Sequence, residues 1–170
     1  KDRIPYSQWE KQGLVIATDG DVIDYDTIEK HILADRKQFN LKYVGYDPWN
    51  AEQMRQRLNA KGIEMIEIRQ GVASLSAPCK ELERLVIARL LDHGNNKVSR
   101  WMADNVEVKT DDNGNIKPVR PKHNHHRKKI DGIVAAVMML AVMTAKGQNR
   151  DLGYRRHGIV SIGDDGIKKH

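Results

Sequence analysis

The stretch Lys42-Tyr-Val-Gly-Tyr-Asp-Pro-Trp-Asn-Ala-Glu-Gln-Met-Arg-Gln-Arg-Leu-Asn-Ala-Lys-Gly-Ile-Glu-Met-Ile-Glu-Ile68 decides the fold. Lys42–Tyr46 reads as a compact apolar strand. Proline must end it, because Pro48 brings no N–H to a ladder, and it holds Asp47 extended at the strand's C-terminal edge. Asn50 with Gln53 has the form of a capping box for a helix over Ala51–Asn59. After Gly62, the run Glu64–Ile68 gives a second strand. Strand, helix and strand at this spacing make a crossover unit, which implies a parallel pair and an α/β fold.

On the N-terminal side, residues 1–13 read as polar and irregular, with Pro5 and Gly13 as breakers. Leu14–Thr18 reads as a short strand closed by Asp19-Gly20-Asp21. Asp24 or Asp26 can cap a helix to about Phe39 that turns Ile28, Ile32 and Leu33 inward, with the local acids as caps and solvated surface. On the C-terminal side, Gly71–Pro78 reads as a small-residue loop in which Ser74 or Ser76 caps a helix from Cys79 to about Leu91. A short helix through Trp101 and Met102 follows. A hairpin turned at Asn113-Gly114 then carries Lys109 and Lys117 on its arms.

In open parallel sheets, functional side chains gather at the carboxyl ends of strands, which is where Asp47 lies. The competing reading of Asp47 is an ordinary Asp-Pro turn initiator. A second acid, Asp131, enters a helix in which Thr144 is the only polar residue from Ile133 to Ala145. Such a helix suits burial on nearly all sides, and by helical spacing Asp131 lies over Val134, Ala135 and Met138. A carboxylate there needs a partner, since an unpaired buried charge costs several kcal/mol. Two readings stand side by side: a first-turn acid favoured by the helix dipole, or a ligand for a cation.

A chain of 170 residues supports one domain with a real core and is short for two. We expect the domain at 1–146 and a flexible basic tail at 147–170, where few apolar side chains remain. Lys and Arg number 29 against 23 Asp and Glu, a net charge of +6, which favours an anionic partner, nucleic acid first. The single cysteine, Cys79, excludes an internal disulfide and suits a reducing compartment. No apolar run reaches the ~18 residues of a membrane helix, so a soluble intracellular protein with no membrane partner is expected. Lys122-His-Asn-His-His-Arg-Lys-Lys129 is the densest basic run. Its three histidines lack cysteines or regular ligand spacing, so a loop that touches phosphates through Arg127 and Lys128 is preferred to a zinc site.

Three blocks in order then carry a resemblance: Tyr46-Asp-Pro-Trp-Asn-Ala51, Gln70-Gly-Val-Ala-Ser-Leu-Ser-Ala-Pro-Cys-Lys-Glu-Leu-Glu-Arg-Leu85 and Lys129-Ile-Asp-Gly-Ile-Val-Ala-Ala-Val-Met138. Arg3-Ile-Pro-Tyr6, Leu14–Thr18 and Arg100–Val106 fit as well. Over about residues 1–146 the chain resembles the C-terminal nuclease domain of the large terminase subunit of tailed bacteriophages. That resemblance implies an RNase H-like mixed sheet flanked by helices, with acids that bind two Mg²⁺ or Mn²⁺ ions. Asp47 matches the strand-end acid and Asp131 the acid on the last core helix, 84 residues apart (131 − 47).

The implied activity is endonucleolytic cutting of concatemeric double-stranded viral DNA, with Asp47 and Asp131 holding metal and Lys109, Lys117, Arg127 and Lys128 contacting DNA. The implied partners are that DNA, the small terminase subunit and the portal protein, in the cytoplasm of an infected bacterium. The family's first acid lies on a first strand ahead of the region matching residue 1. Neither that strand nor a phosphate-binding Gly-x-x-x-x-Gly-Lys-Ser/Thr loop occurs here, so we expect an N-terminally truncated domain with the ATPase domain upstream. A catalytically inactive DNA-binding or motor-docking fragment is the alternative.

Overall fold

In the computed structural model, which describes residues 4–123, 127–147, 160–163 and 166–169, the crossover forms as the spacing predicts. β1 (Tyr43–Tyr46) pairs in parallel with β2 (Glu64–Glu67), Tyr43 opposite Glu64 and Tyr46 opposite Glu67, and α3 (Glu52–Ala60) connects them. Gly62, at φ +76°, lets the chain leave α3 for β2 at once, with the Gly62 and Ile63 N–H groups closing on Asn59 and Leu58 carbonyls. Met54, Leu58 and Ile63 form the core beneath, and Ile32, Leu33, Leu41, Val44 and Met65 pack against them.

These elements belong to a compact unit, Pro5–Arg69, that also holds α1 (Tyr6–Lys11) and α2 (Tyr25–Gln38). Asp24 caps α2 by accepting the Thr27 N–H at 3.0 Å. The Thr27 hydroxyl and N–H also hold the Asp24 carboxyl below its ordinary range. Three local expectations fail. Residues 6–11 are helical, because the Pro5 carbonyl accepts the Gln8 and Trp9 N–H groups. Leu14–Thr18 is not a strand: it has no ladder partner among the described residues, and Ile16 is largely exposed. Asn50 caps nothing. It sits at φ +54°, and α3 begins after Ala51 with no side-chain cap.

α2 contains a surprise of a different kind. Glu29, expected among the solvated acids, is buried. Lys61 donates to its Oε1, and Arg57 Nη2 lies 2.5 Å from Oε2 outside hydrogen-bond geometry, so that second contact is coulombic. This ionic clamp ties α2 to α3.

The second unit begins at Gln70 and comprises α4 (Val72–Ile87), α5 (Lys97–Asp104), β3 (Glu107–Thr110), β4 (Ile116–Val119) and α6 (Asp131–Gly147), with β5 (Val160–Gly163) and β6 (Gly166–Lys169) as an antiparallel ribbon. α4 starts directly after Gly71, seven residues before the expected Cys79, and contains Pro78. Proline there removes one backbone bond without ending the helix. Ser76 does not cap it; its hydroxyl accepts the Ile116 N–H at 3.2 Å and ties β4 to α4. α6 packs on α4 and α5 and is buried on one side only, through Val137, Met138, Leu140 and Val142, while Met139 is exposed. Burial on nearly all sides was expected from composition, which counts apolar residues but not the elements that cover them.

β3 and β4 form the predicted hairpin, with Lys109 directly opposite Lys117. Its connection is longer than a two-residue turn: Asp111 accepts the Asn113 and Asn115 N–H groups at 3.0 and 2.8 Å, and Gly114 takes φ +72°. The described strands form three separate two-stranded ladders, one parallel and two antiparallel, within an α/β chain. Of the tail expected at 147–170, Gly147 ends α6 and β5 and β6 pair; its other residues lie outside the described ones, as do Asn124, His125 and His126 of the basic run and Arg3.

Candidate functional site

β1 delivers Asp47 to its C-terminal end, where Pro48 stops the strand. Asp47 is half-buried, and its Oδ1 accepts the Trp49 N–H at 2.9 Å, the bond of an Asx turn. The turn-initiator reading is therefore correct as far as it goes, but it engages a single oxygen. Oδ2 accepts no hydrogen bond among the described residues. Beside it the Trp49 ring is 82% exposed.

Asp131 is the first residue of α6 and is exposed. The sequence left open whether its carboxylate caps the helix. It accepts no backbone N–H and makes no ion pair among the described residues. The helix start is held by α5 instead. The Gly132 N–H donates to Met102 Sδ at 3.1 Å, and Asn105 Nδ2 donates to the Lys129 carbonyl at 3.2 Å. Sequence reasoning missed both residues. The one available signal was a glycine immediately after the acid: a Cβ at Gly132 would lie 2.8 Å from the Met102 sulfur.

Asp47 belongs to the unit Pro5–Arg69 and Asp131 to the unit from Gln70 onward. Both offer hard oxygen donors of the kind that Mg²⁺ and Mn²⁺ take. No group of three or more His, Cys, Asp or Glu with metal-binding spacing occurs among the described residues. Of the four expected phosphate contacts, the register brings Lys109 and Lys117 side by side, and Lys117 Nζ reaches the Gln70 carbonyl at 3.5 Å. Like charges directly opposite on a ladder are unfavourable unless an anion shares them. Arg127 is exposed and Lys128 half-buried, three and four residues ahead of Asp131 in the order Lys128, Arg127. Burial, and then the Glu83 charge, push the Cys79 thiol up, which argues against a thiolate nucleophile.

Residues 1–147 match the family described as "Terminase large subunit, endonuclease domain". The chain belongs to that family. The large terminase subunit of Enterobacteria phage HK97 is 30% identical over 154 residues, covering 89% of this chain and 30% of that protein. Protein YmfN of Escherichia coli is 30% identical over 133 residues, covering 78% of this chain and 29% of that one. The crystal structure of the HK97 bacteriophage large terminase superposes with a TM-score of 0.73 at 29% identity, over 83% of this chain and 29% of that chain. This terminase nuclease domain thus spans about 30% of the length of the curated relatives it matches. Its mixed α/β architecture, with helices and small sheets, is consistent with the RNase H-like fold. No helix among the described residues is long and apolar enough to cross a membrane.

Proposed function

We propose that this chain is the endonuclease domain of a DNA-packaging terminase, cutting concatemeric double-stranded viral DNA by metal-dependent phosphodiester hydrolysis. The observation that carries the reading is the family match over residues 1–147, which includes both Asp47 and Asp131. Their carboxylates would hold Mg²⁺ or Mn²⁺, with the free Oδ2 of Asp47 and the unengaged carboxylate of Asp131 as the donor atoms. When bound in pairs, such ions activate water and stabilise the leaving oxygen of a phosphodiester.

The chain's own cations supply the rest. Lys109 and Lys117 on the hairpin, with Arg127 and Lys128 ahead of α6, would neutralise phosphates and fix the duplex without reading its bases. The expected partners are the viral duplex, the small terminase subunit, the portal protein and an ATPase domain of the same polypeptide, in the cytoplasm of an infected bacterium. The DNA-binding or motor-docking reading without catalysis is the alternative.

Plasmid nicking by the full-length protein in Mn²⁺ tests the proposal. Asp47→Ala and Asp131→Ala should each abolish nicking, with DNA binding retained. Full activity in either variant removes the metal role assigned here. Absence of Mn²⁺ binding at millimolar levels in the unsubstituted protein, measured by calorimetry, favours the non-catalytic reading.

A further inference from the structure

Asn50 and Gln53 have the spacing of a capping box, yet neither side chain is used as one: Asn50 lies at φ +54°, and α3 begins after Ala51 without a side-chain cap. Neither amide makes a side-chain hydrogen bond among the described residues. Both line a small cavity with Tyr25, Met54 and Arg57. At about 20 Å³ it has room for a water and not for an aromatic ring, so a larger ligand would lie across its mouth. Arg57 is already matched by Asp26 and Glu29, 2.6 and 2.5 Å from its Nη2, and so offers little to a phosphate. The lining instead supplies amide donors and acceptors, which suit a neutral polar ring. Trp49 immediately precedes Asn50. Its ring is 82% exposed, although Trp is highly buried on average in folded chains. Its backbone is fixed all the same, because the Trp49 N–H donates to Asp47 Oδ1 at 2.9 Å and Pro48 between them has a locked φ. An aromatic face is therefore held in water two residues from the acid that ends β1.

From this arrangement we infer that the turn from Asp47 to Gln53 binds an unpaired nucleobase of DNA, which stacks on the Trp49 ring and turns its hydrogen-bonding edge to the Asn50 and Gln53 amides. Every base has a π face for stacking, and Asn and Gln amides match base edges because each carries both a donor and an acceptor. In an intact duplex the neighbouring pairs cover both faces of a base, so the ligand is a base at a strand end or outside the stack. The net charge of +6 favours the polyanion that carries it. The inference rests on the DNA-cutting reading and adds a second kind of contact to it. The hairpin cations neutralise phosphates whatever the state of the bases, whereas this turn takes a base freed from pairing, as at a cut strand.

The experiment measures binding of the full-length protein, in chelator to prevent cutting, to three probes: a single-stranded oligonucleotide, an abasic oligonucleotide of the same length, and a covalently closed relaxed plasmid. Judged by the usual strength of base–aromatic stacking, Trp49→Ala should weaken binding of the single strand about 10-fold and leave the other two unchanged. Trp49→Phe should recover most of the loss. Asn50→Gly, which tolerates the positive φ, and Gln53→Ala should each weaken the single strand alone. The salt dependence should be the same in Trp49→Ala as in the unsubstituted protein, since no phosphate contact is lost, and so should the thermal melt, since the ring buries little. In fluorine NMR with fluorotryptophan, the Trp49 signal, identified by its absence in Trp49→Phe, should move on adding the single strand and not the abasic one. Equal single-strand affinity in Trp49→Ala, with plasmid nicking in Mn²⁺ retained, overturns the base site and leaves the nuclease reading intact. A Trp49 signal shielded from solvent in the free protein and insensitive to every probe assigns the ring to a protein surface and overturns the base site too. No affinity for any of the three probes removes the DNA reading and this inference with it.

Discussion

The ionic clamp between α2 and α3 yields a prediction whose direction depends on which partner is removed. Glu29 has a side chain 4% exposed, whereas Arg57 and Lys61 are 38% and 47% exposed. At an effective dielectric of about 20, each contact is worth on the order of 4 kcal/mol before desolvation, and burial of the carboxylate costs a comparable amount. Replacing both cations, as Arg57→Met with Lys61→Met, keeps their alkyl packing and strands a buried charge, at a cost of about 3–5 kcal/mol. The exposed Asp26–Arg57 pair lost with it contributes little, because solvent screens it.

Glu29→Gln removes the charge that needed compensation and releases two cations already close to water, costing about 1–2 kcal/mol. For a chain of this size, 1 kcal/mol moves the melting temperature by about 2–4 °C, so drops of roughly 12 °C and roughly 4 °C are expected. Thermal and urea unfolding followed by circular dichroism reads both. A Glu29→Gln protein as destabilised as the double cation variant would refute the reasoning, because the buried carboxylate would then not be the dominant electrostatic liability.

Two further outcomes follow from the hairpin. Its Asn115 side chain, and then the Asn115 N–H, hold the Asp111 carboxyl below the ordinary 3.8. The folded pKa is therefore below the unfolded one, so the loop's stabilisation is complete above the unfolded value and is lost as pH falls through the folded value. The Asn113 and Asn115 amide resonances should move toward random-coil positions as pH drops below about 4, and Asp111→Asn should abolish that dependence; an unchanged titration in Asp111→Asn would exclude Asp111 as its source. If Lys109 and Lys117 each neutralise one phosphate, Lys109→Ala should reduce the slope of log affinity for duplex DNA against log salt by about 0.9, and the double variant by about 1.8. An unaltered slope would exclude the hairpin from the DNA contact.

The sequence by itself determined what short-range chemistry controls. The apolar runs on either side of a helix dictated the parallel β1–β2 crossover, Asp24 or Asp26 marked the start of α2, and Asn113-Gly114 located the hairpin, because each depends on residues within a few positions of one another. The placement of Asp47 at the end of β1 and of Asp131 at the start of α6 was also legible, one from the Asp-Pro strand end and one from its entry into an apolar helix. The misassigned start of α4 came from reading the small residues of Gly71–Pro78 as a loop, when Leu75, Ser76 and Pro78 are buried in the helix.

Only the tertiary structure decided the rest, because it turned on partners distant in sequence. Whether Glu29 was solvent or core depended on Lys61, 32 residues away, and the face of α6 left exposed depended on where α4 and α5 lie. Asp131 is the sharpest case. Its own neighbourhood said nothing of what holds the start of its helix, which proved to be α5, through a thioether 30 residues from Gly132 that accepts the Gly132 N–H.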